Sequence, residues 1–162
     1  MNEAPIAVVE PVKTKTDWRK VKHFKPEEFG PYADSMDPAI IYALDELRFL
    51  TGKKIIISRS HDPLSAKTSQ HQGFGAVDIL FPGTPPWKGF DLLLTALRIE
   101  AFKGFGIYRE WKYNGQSCAG LHLDIRTSPG RVMWLNRRNR SGENEYRPLS
   151  FMNMVEFFPE AL

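Results

Sequence analysis

Three features of the 162-residue sequence predict an α+β fold, a small and mostly antiparallel sheet packed against two main helices. Two segments with helical spacing of apolar residues begin near Pro38 and near Lys88. Strand patterns gather later in the chain, where Asn114-Gly115 carries the signature of a hairpin turn. Last, Leu121, Leu123 and Ile125 alternate with His122, Asp124 and Arg126, the period of a strand with one polar face. Helices first and antiparallel strands later argue for segregated layers.

The composition suits a soluble globule. With 42% apolar and 25% charged residues it offers no run of about 18 apolar residues to cross a bilayer. A chain of this size builds one domain that buries about 70% of its unfolded surface. The net charge of +3 is mild, so the basic stretches Lys13 to Lys25 and Arg131 to Arg140 read as solvated faces, and no nucleic-acid partner is expected. Cys118 is the only cysteine, which excludes an internal disulfide; it reads as a buried or idle thiol. The N-terminal residues show no basic-then-apolar leader for secretion.

Residues 1–17, with Pro5, Pro11 and alternating lysines and threonines, read as an extended arm too poor in large apolar groups to dock on its own domain. Trp18, Phe24 and Phe29 anchor the next stretch, and Lys25-Pro26-Glu27-Glu28-Phe29 predicts a short helical turn. Asp37-Pro38 opens the clearest helix, with Asp37 as N-cap, Ile40, Ile41, Leu44 and Leu47 inward, and Gly52 as C-terminal cap. The isoleucines of Lys54 to Ser58 predict a strand buried on both faces. A loop through Ser65 to Gln70 leads to a glycine turn, and Ala76 to Phe81 is the next strand. A second helix is expected over Lys88 to Ala101, with Phe90, Leu93, Leu94 and Leu97 inward. The strand Phe105 to Tyr108 is expected to pair antiparallel with that of Leu121, and Val132 to Trp134 to form an edge strand. Arg137 to Arg147 reads as a charged loop, and 149–162 as an apolar segment that packs on the body or on a partner.

The chemistry concentrates in Ser69 to Ile79, where His71 and Asp78 flank Gly73 and Gly75. Run straight, seven residues would separate the two side chains by roughly 23 Å. Two ligands of one ion lie a few Å apart, so the chain must turn between them if they cooperate, and the glycines supply that freedom. His122 is the third candidate. Two imidazoles and a carboxylate fill three positions of a tetrahedral zinc and leave the fourth for water, as a hydrolytic site needs.

The order of these pieces over about Phe24 to Leu135 resembles the zinc D-Ala-D-Ala carboxypeptidase family, above all its short phage and bacterial branch, which shares the fold of the hedgehog signalling domain. The resemblance is carried by Glu27-Glu28-Phe29, the Asp-Pro helix ending in Leu-Arg and Gly52, and the isoleucine strand with Ser58. It continues through Ser-x-His seven residues before Asp with Ala76 between, Phe-Gly-Ile-Tyr, His-x-Asp, and Trp134. It implies a peptidase domain over 18–148 and Zn²⁺ held by His71, Asp78 and His122. Two departures stand out. Relatives place an arginine for a substrate carboxylate where this chain has His61, with Arg59 two residues early, so Arg59 or His61 is expected to bind substrate. Several relatives carry an acid three residues before the last histidine, where this chain has Ala119. Asp124 is then the nearest carboxylate, either acting on the zinc water or orienting His122, with the second preferred; Glu110 is a distant reserve.

The resemblance implies a zinc-dependent peptidase, phage-encoded, that acts on peptidoglycan stem peptides and resides in the host cytoplasm during infection or in the virion. The rival expectation is a virion or tail assembly protein that keeps the fold with a weakened site and touches phage structural proteins through its arm and C-terminal segment. His23 is assigned no role.

Overall fold

The computed structural model describes residues 15–66 and 69–161, so the predicted arm lies outside the described residues except at its base. That base is docked. The Asp17 backbone N–H donates to the Tyr42 hydroxyl at 3.0 Å, and the Asp17 carboxylate caps the 3₁₀ turn Trp18–Lys20.

The fold is α+β. Its main sheet has six strands in the order β1 (Ile56–Arg59), β2 (Ala76–Phe81), β6 (Ala119–Asp124), β3 (Gly104–Tyr108), β7 (Val132–Arg138) and β8 (Asn144–Pro148). Only the β3/β7 pair is parallel. The short strands β4 (Lys112–Tyr113) and β5 (Gln116–Ser117) form a separate hairpin, in which Asn114 (φ 49°) and Gly115 (φ 80°) make the left-handed turn that Asn-Gly favours.

Helix α1 (Pro38–Thr51) starts and stops as its caps dictate. Asp37 accepts from the Ala39 N–H at 2.9 Å, and Gly52 takes the left-handed conformation (φ 59°) that terminates the helix. Ile40, Ile41, Leu44 and Leu47 are fully buried. Helix α2 (Gly89–Ala96) is shorter than expected and buries Leu92, Leu93 and Ala96, whereas Leu94 faces out. A third helix, α3 (Phe151–Phe157), seats Phe157 and Phe158 in the core, so the C-terminal segment packs on the body. No helix among the described residues is long and apolar enough to cross a membrane.

Three strand expectations need correction. The isoleucine strand is an edge strand: Ile55 is buried, but Ile56 and Ile57 are half-exposed, Ile57 packing partly on the core, because β1 has a neighbouring strand on one side only. Val132 to Trp134 is not an edge, since β7 runs on to Arg138 and is covered by β8. The expected loop from Arg137 to Arg147 is therefore mostly hairpin, held by Arg137 and Arg147 on Glu145 and Glu156.

Alternation along these strands sorts the side chains by face. Val77, Ile79, Phe105, Ile107, Leu121, Leu123 and Leu135 lie in the hydrophobic core. The opposite face carries Asp78, His122, Gly106 and Trp134, which lie side by side across β2, β6, β3 and β7. Glycines make that face possible. A Cβ on Gly104 would collide with the Asp124 carboxylate, one on Gly120 with the Trp111 ring, and one on Gly106 would stand 2.6 Å from the Trp134 indole.

Candidate metal centre

His71, Asp78 and His122 converge, and all three are buried. Asp78 and His122 are direct register partners on β2 and β6. His71 arrives from the 3₁₀ turn Gln70–Gly73, capped by the Ser69 hydroxyl, which accepts from the His71 N–H at 3.3 Å. The chain reverses after it through Phe74, which takes the left-handed conformation (φ 61°). The expectation that Gly73 and Gly75 supply the positive φ is thus corrected. Gly75 serves close packing instead, since a Cβ there would meet the Ile125 side chain at 3.0 Å.

The ligand atoms are Nε2 of His71, Oδ1 of Asp78 and Nδ1 of His122, separated by 3.2 Å, 3.2 Å and 2.8 Å. Ligands about 2.05 Å from a tetrahedral metal lie about 3.3 Å apart, so the spacing fits one small cation. The far side of each ring fixes which nitrogen offers its lone pair. His71 Nδ1 lies 2.7 Å from the Ser60 carbonyl oxygen, an acceptor only, so its proton resides there and Nε2 is bare. His122 Nε2 lies 3.1 Å from Asp124 Oδ2, which places its proton there and leaves Nδ1 bare. With both rings neutral, three electron pairs face one another with no hydrogen between them. A bound cation resolves that conflict, and the donor set of two imidazoles and a carboxylate suits one. These residues could hold a metal ion.

A proton on an imidazole relieves the same conflict in another way, and the shifts at Asp78 and His122 are those of the protonated rings. Burial works against a charged Asp78, but hydrogen bonds from His122 and then His71 outweigh it and bring its pKa down to about 2. Burial likewise opposes a charged His122, and its bonds to Asp124 and Asp78 overcome that and raise its pKa. Asp124 is completely buried and is held below the usual carboxylate range, since the Arg126 guanidinium and His122 outweigh the burial. Arg126 grips both oxygens of Asp124, Nε at 2.8 Å and Nη2 at 2.5 Å.

Of the two roles open to Asp124, the geometry therefore fits orienting His122. A carboxylate with no exposed surface and both oxygens bonded does not reach a reacting water. Ala119 lies in the hydrophobic core on the face opposite His122. Glu110 accepts from the Arg138 N–H at 3.0 Å and lines a neighbouring hollow, not the cavity at the metal centre.

The cavity holds about 330 Å³ and is bounded by Arg59, Arg126, Tyr108, Tyr146 and Trp134 as well as the three ligands. Arg59 sits opposite Asp78 in the β1/β2 register, with Nη1 3.9 Å from Asp78 Oδ2, and its other end is tied to Asp62 and to the Ser65 hydroxyl. His61 does not line this cavity; it borders a neighbouring hollow that Arg59 also lines. The register shifts before Arg59 and β1 ends there, so the alternation that would put both residues on one face breaks down. His61 stacks on Phe74 (ring centres 3.8 Å apart), meets Tyr32 edge-on and contacts the His71 carbonyl oxygen through Nδ1 at 2.9 Å. It buttresses the turn that carries His71.

Sequence reasoning missed Tyr108 and Tyr146. Tyr108 stands two residues beyond Gly106 on β3, and that spacing was the available signal; Tyr146 was hidden in a stretch read as loop. Burial, the charge on Asp78 and contact with Tyr146 push the Tyr108 phenol well above its ordinary pKa. No family model, no curated protein and no solved structure matches the chain.

Proposed function

We propose that the protein is a zinc-dependent peptidase of the D-Ala-D-Ala carboxypeptidase type, with the hedgehog/DD-peptidase fold, acting on peptidoglycan stem peptides. The observation that carries this reading is the convergence of three ligand atoms at 2.8 to 3.2 Å beside a cavity with a guanidinium on its wall. The order of sequence motifs that resembles that family supports it independently.

His71, Asp78 and His122 would hold the ion, and zinc bound there supplies a Lewis acid that polarises a carbonyl and lowers the pKa of water to about 7. The chain's own residues do the rest. Ser60 and Asp124 hold the two imidazoles in the ligating tautomer, and Arg126 holds Asp124. Arg59, kept in place by Asp62 and Ser65, offers Nη1 to a substrate carboxylate.

One observation favours a second reading. Among the described residues that line the cavity, Asp78 is the only carboxylate, so no free acid stands ready as general base. A virion or assembly protein with a weakened site would look like this. Its postulated C-terminal reach is reduced, because Phe157 and Phe158 are buried in the same domain. Metal analysis of protein purified without chelators, together with digestion of isolated cell walls, decides between them. One zinc per chain and release of stem-peptide fragments support the peptidase; no bound metal and intact walls sink it.

A further inference from the structure

Among the described residues, the cavity wall carries two phenols and no free acid. Tyr108 comes from β3 and Tyr146 from β8, and both are register partners of Asn136 on the strand between them. Paired residues share a face, so the two rings stand on the side of the sheet that carries His122 and Asp78. Tyr108 lies two residues past Gly106, the partner of His122, and so one step of about 7 Å along the strand from the metal ligands. The rings meet edge-on with centres 6.3 Å apart, and Tyr108 is clamped from its other side by Trp111, stacked at 4.2 Å. Tyr146 is 57% exposed, at the mouth rather than in the wall. The two also border the neighbouring hollow, which shares Arg59 and Asp78 with the metal cavity, so they stand where a bound chain would cross from one into the other.

We propose that Tyr108 and Tyr146 are paired hydrogen-bond donors to the carbonyl oxygen of a peptide bound between Arg59 and His122, an inference that rests on the peptidase reading. A phenol O–H is a hydrogen-bond donor, and neither ring is asked to take a proton from water. Each instead donates to the oxygen that gains negative charge as the carbonyl is attacked, and donors already in place as that charge develops favour the transition state over the bound substrate. No bond to either tyrosine forms or breaks. Arg59 is the group assigned to the substrate carboxylate and Arg126 is committed to Asp124, which leaves the phenols for the carbonyl oxygen.

The test uses the full chain loaded with zinc and the variants Tyr108→Phe, Tyr146→Phe and the double variant, which keep the rings and their packing. Two affinities are measured, for a stem-peptide analogue ending in D-Ala-D-Ala and for its tetrahedral phosphinate counterpart, alongside kcat, KM and zinc content. Expected is a fall in kcat of about 100-fold per donor removed, and a parallel loss of phosphinate affinity, with KM, peptide affinity and zinc content unchanged. The proposal is overturned if the double variant binds the phosphinate as wild type does, a measurement that needs no turnover. A wild-type protein that takes up no zinc overturns the peptidase reading itself, and this inference with it.

Discussion

Gly106 and Trp134 face each other across the parallel pairing of β3 and β7, and the indole occupies the space above the glycine, with its ring 5.2 Å from that of His122. A methyl group at 106 would stand 2.6 Å from the indole, closer than packed atoms approach. Gly106→Ala should therefore displace Trp134 and with it the wall beside His122. The expected cost is about 1–3 kcal/mol of stability together with weaker metal uptake, read by thermal unfolding and zinc titration. Unchanged melting and titration curves would show that the indole moves freely.

Asp124→Asn keeps the shape of the side chain but removes the charge that pairs with His122 and Arg126. Affinity for zinc should drop by about 10–100-fold, measured by competition with a chelator of known strength. His71→Ala, which removes a ligand outright, should lose more.

Arg59→Ala addresses substrate rather than metal. Loss of a charged hydrogen bond of about 1.5–3 kcal/mol should raise KM by roughly 10–100-fold for peptides with a free C-terminal carboxylate, and change little for the same peptides amidated. Equal effects on both would show that Arg59 does not read the carboxylate.

A pH effect on stability is expected at Glu28. Burial alone would raise its pKa, but hydrogen bonds from Arg48 and the Lys25 N–H outweigh it and lower the pKa from 4.5. A depressed carboxylate stabilises the fold above its unfolded pKa, and the contribution fades as pH falls below about 4.5 and through the folded value. Glu28→Gln should thus be less stable than wild type in urea at pH 7, with the gap narrowing as the pH is lowered through this window. Arg48 also donates to the His23 and Ile55 carbonyl oxygens and lies 3.4 Å over the Phe24 ring, so the pair ties the N-terminal turns to α1 and β1.

What could be read from the sequence, and what could not, divides along the range of the interactions. The caps of α1 and the Asn114-Gly115 turn are local chemistry, and both sit where their residues demand. His122 was legible because strand alternation puts it on a polar face, and Asp78 because it follows His71 across a glycine-bearing turn; the pairing of β2 with β6 does the rest. The edge position of β1 was not legible, because three isoleucines look alike whether one face is covered or two. Nor was the β7/β8 hairpin, whose outward residues are arginines and glutamates that pair across and along the strands and mimic the composition of a loop. His61 and Arg59 were indistinguishable in sequence, since the shift in register that separates them depends on the partner strand.

The ligands from the turn and from β6 are 51 residues apart in the chain. An ion between them acts as a detachable cross-link across much of the domain, in a protein whose single cysteine can form no internal one. Closing so long a span restricts the unfolded chain, so occupancy should protect the whole domain and not the cavity alone. Stripping such an ion would then be felt first as lowered resistance to heat and proteolysis, at places far from the three ligands.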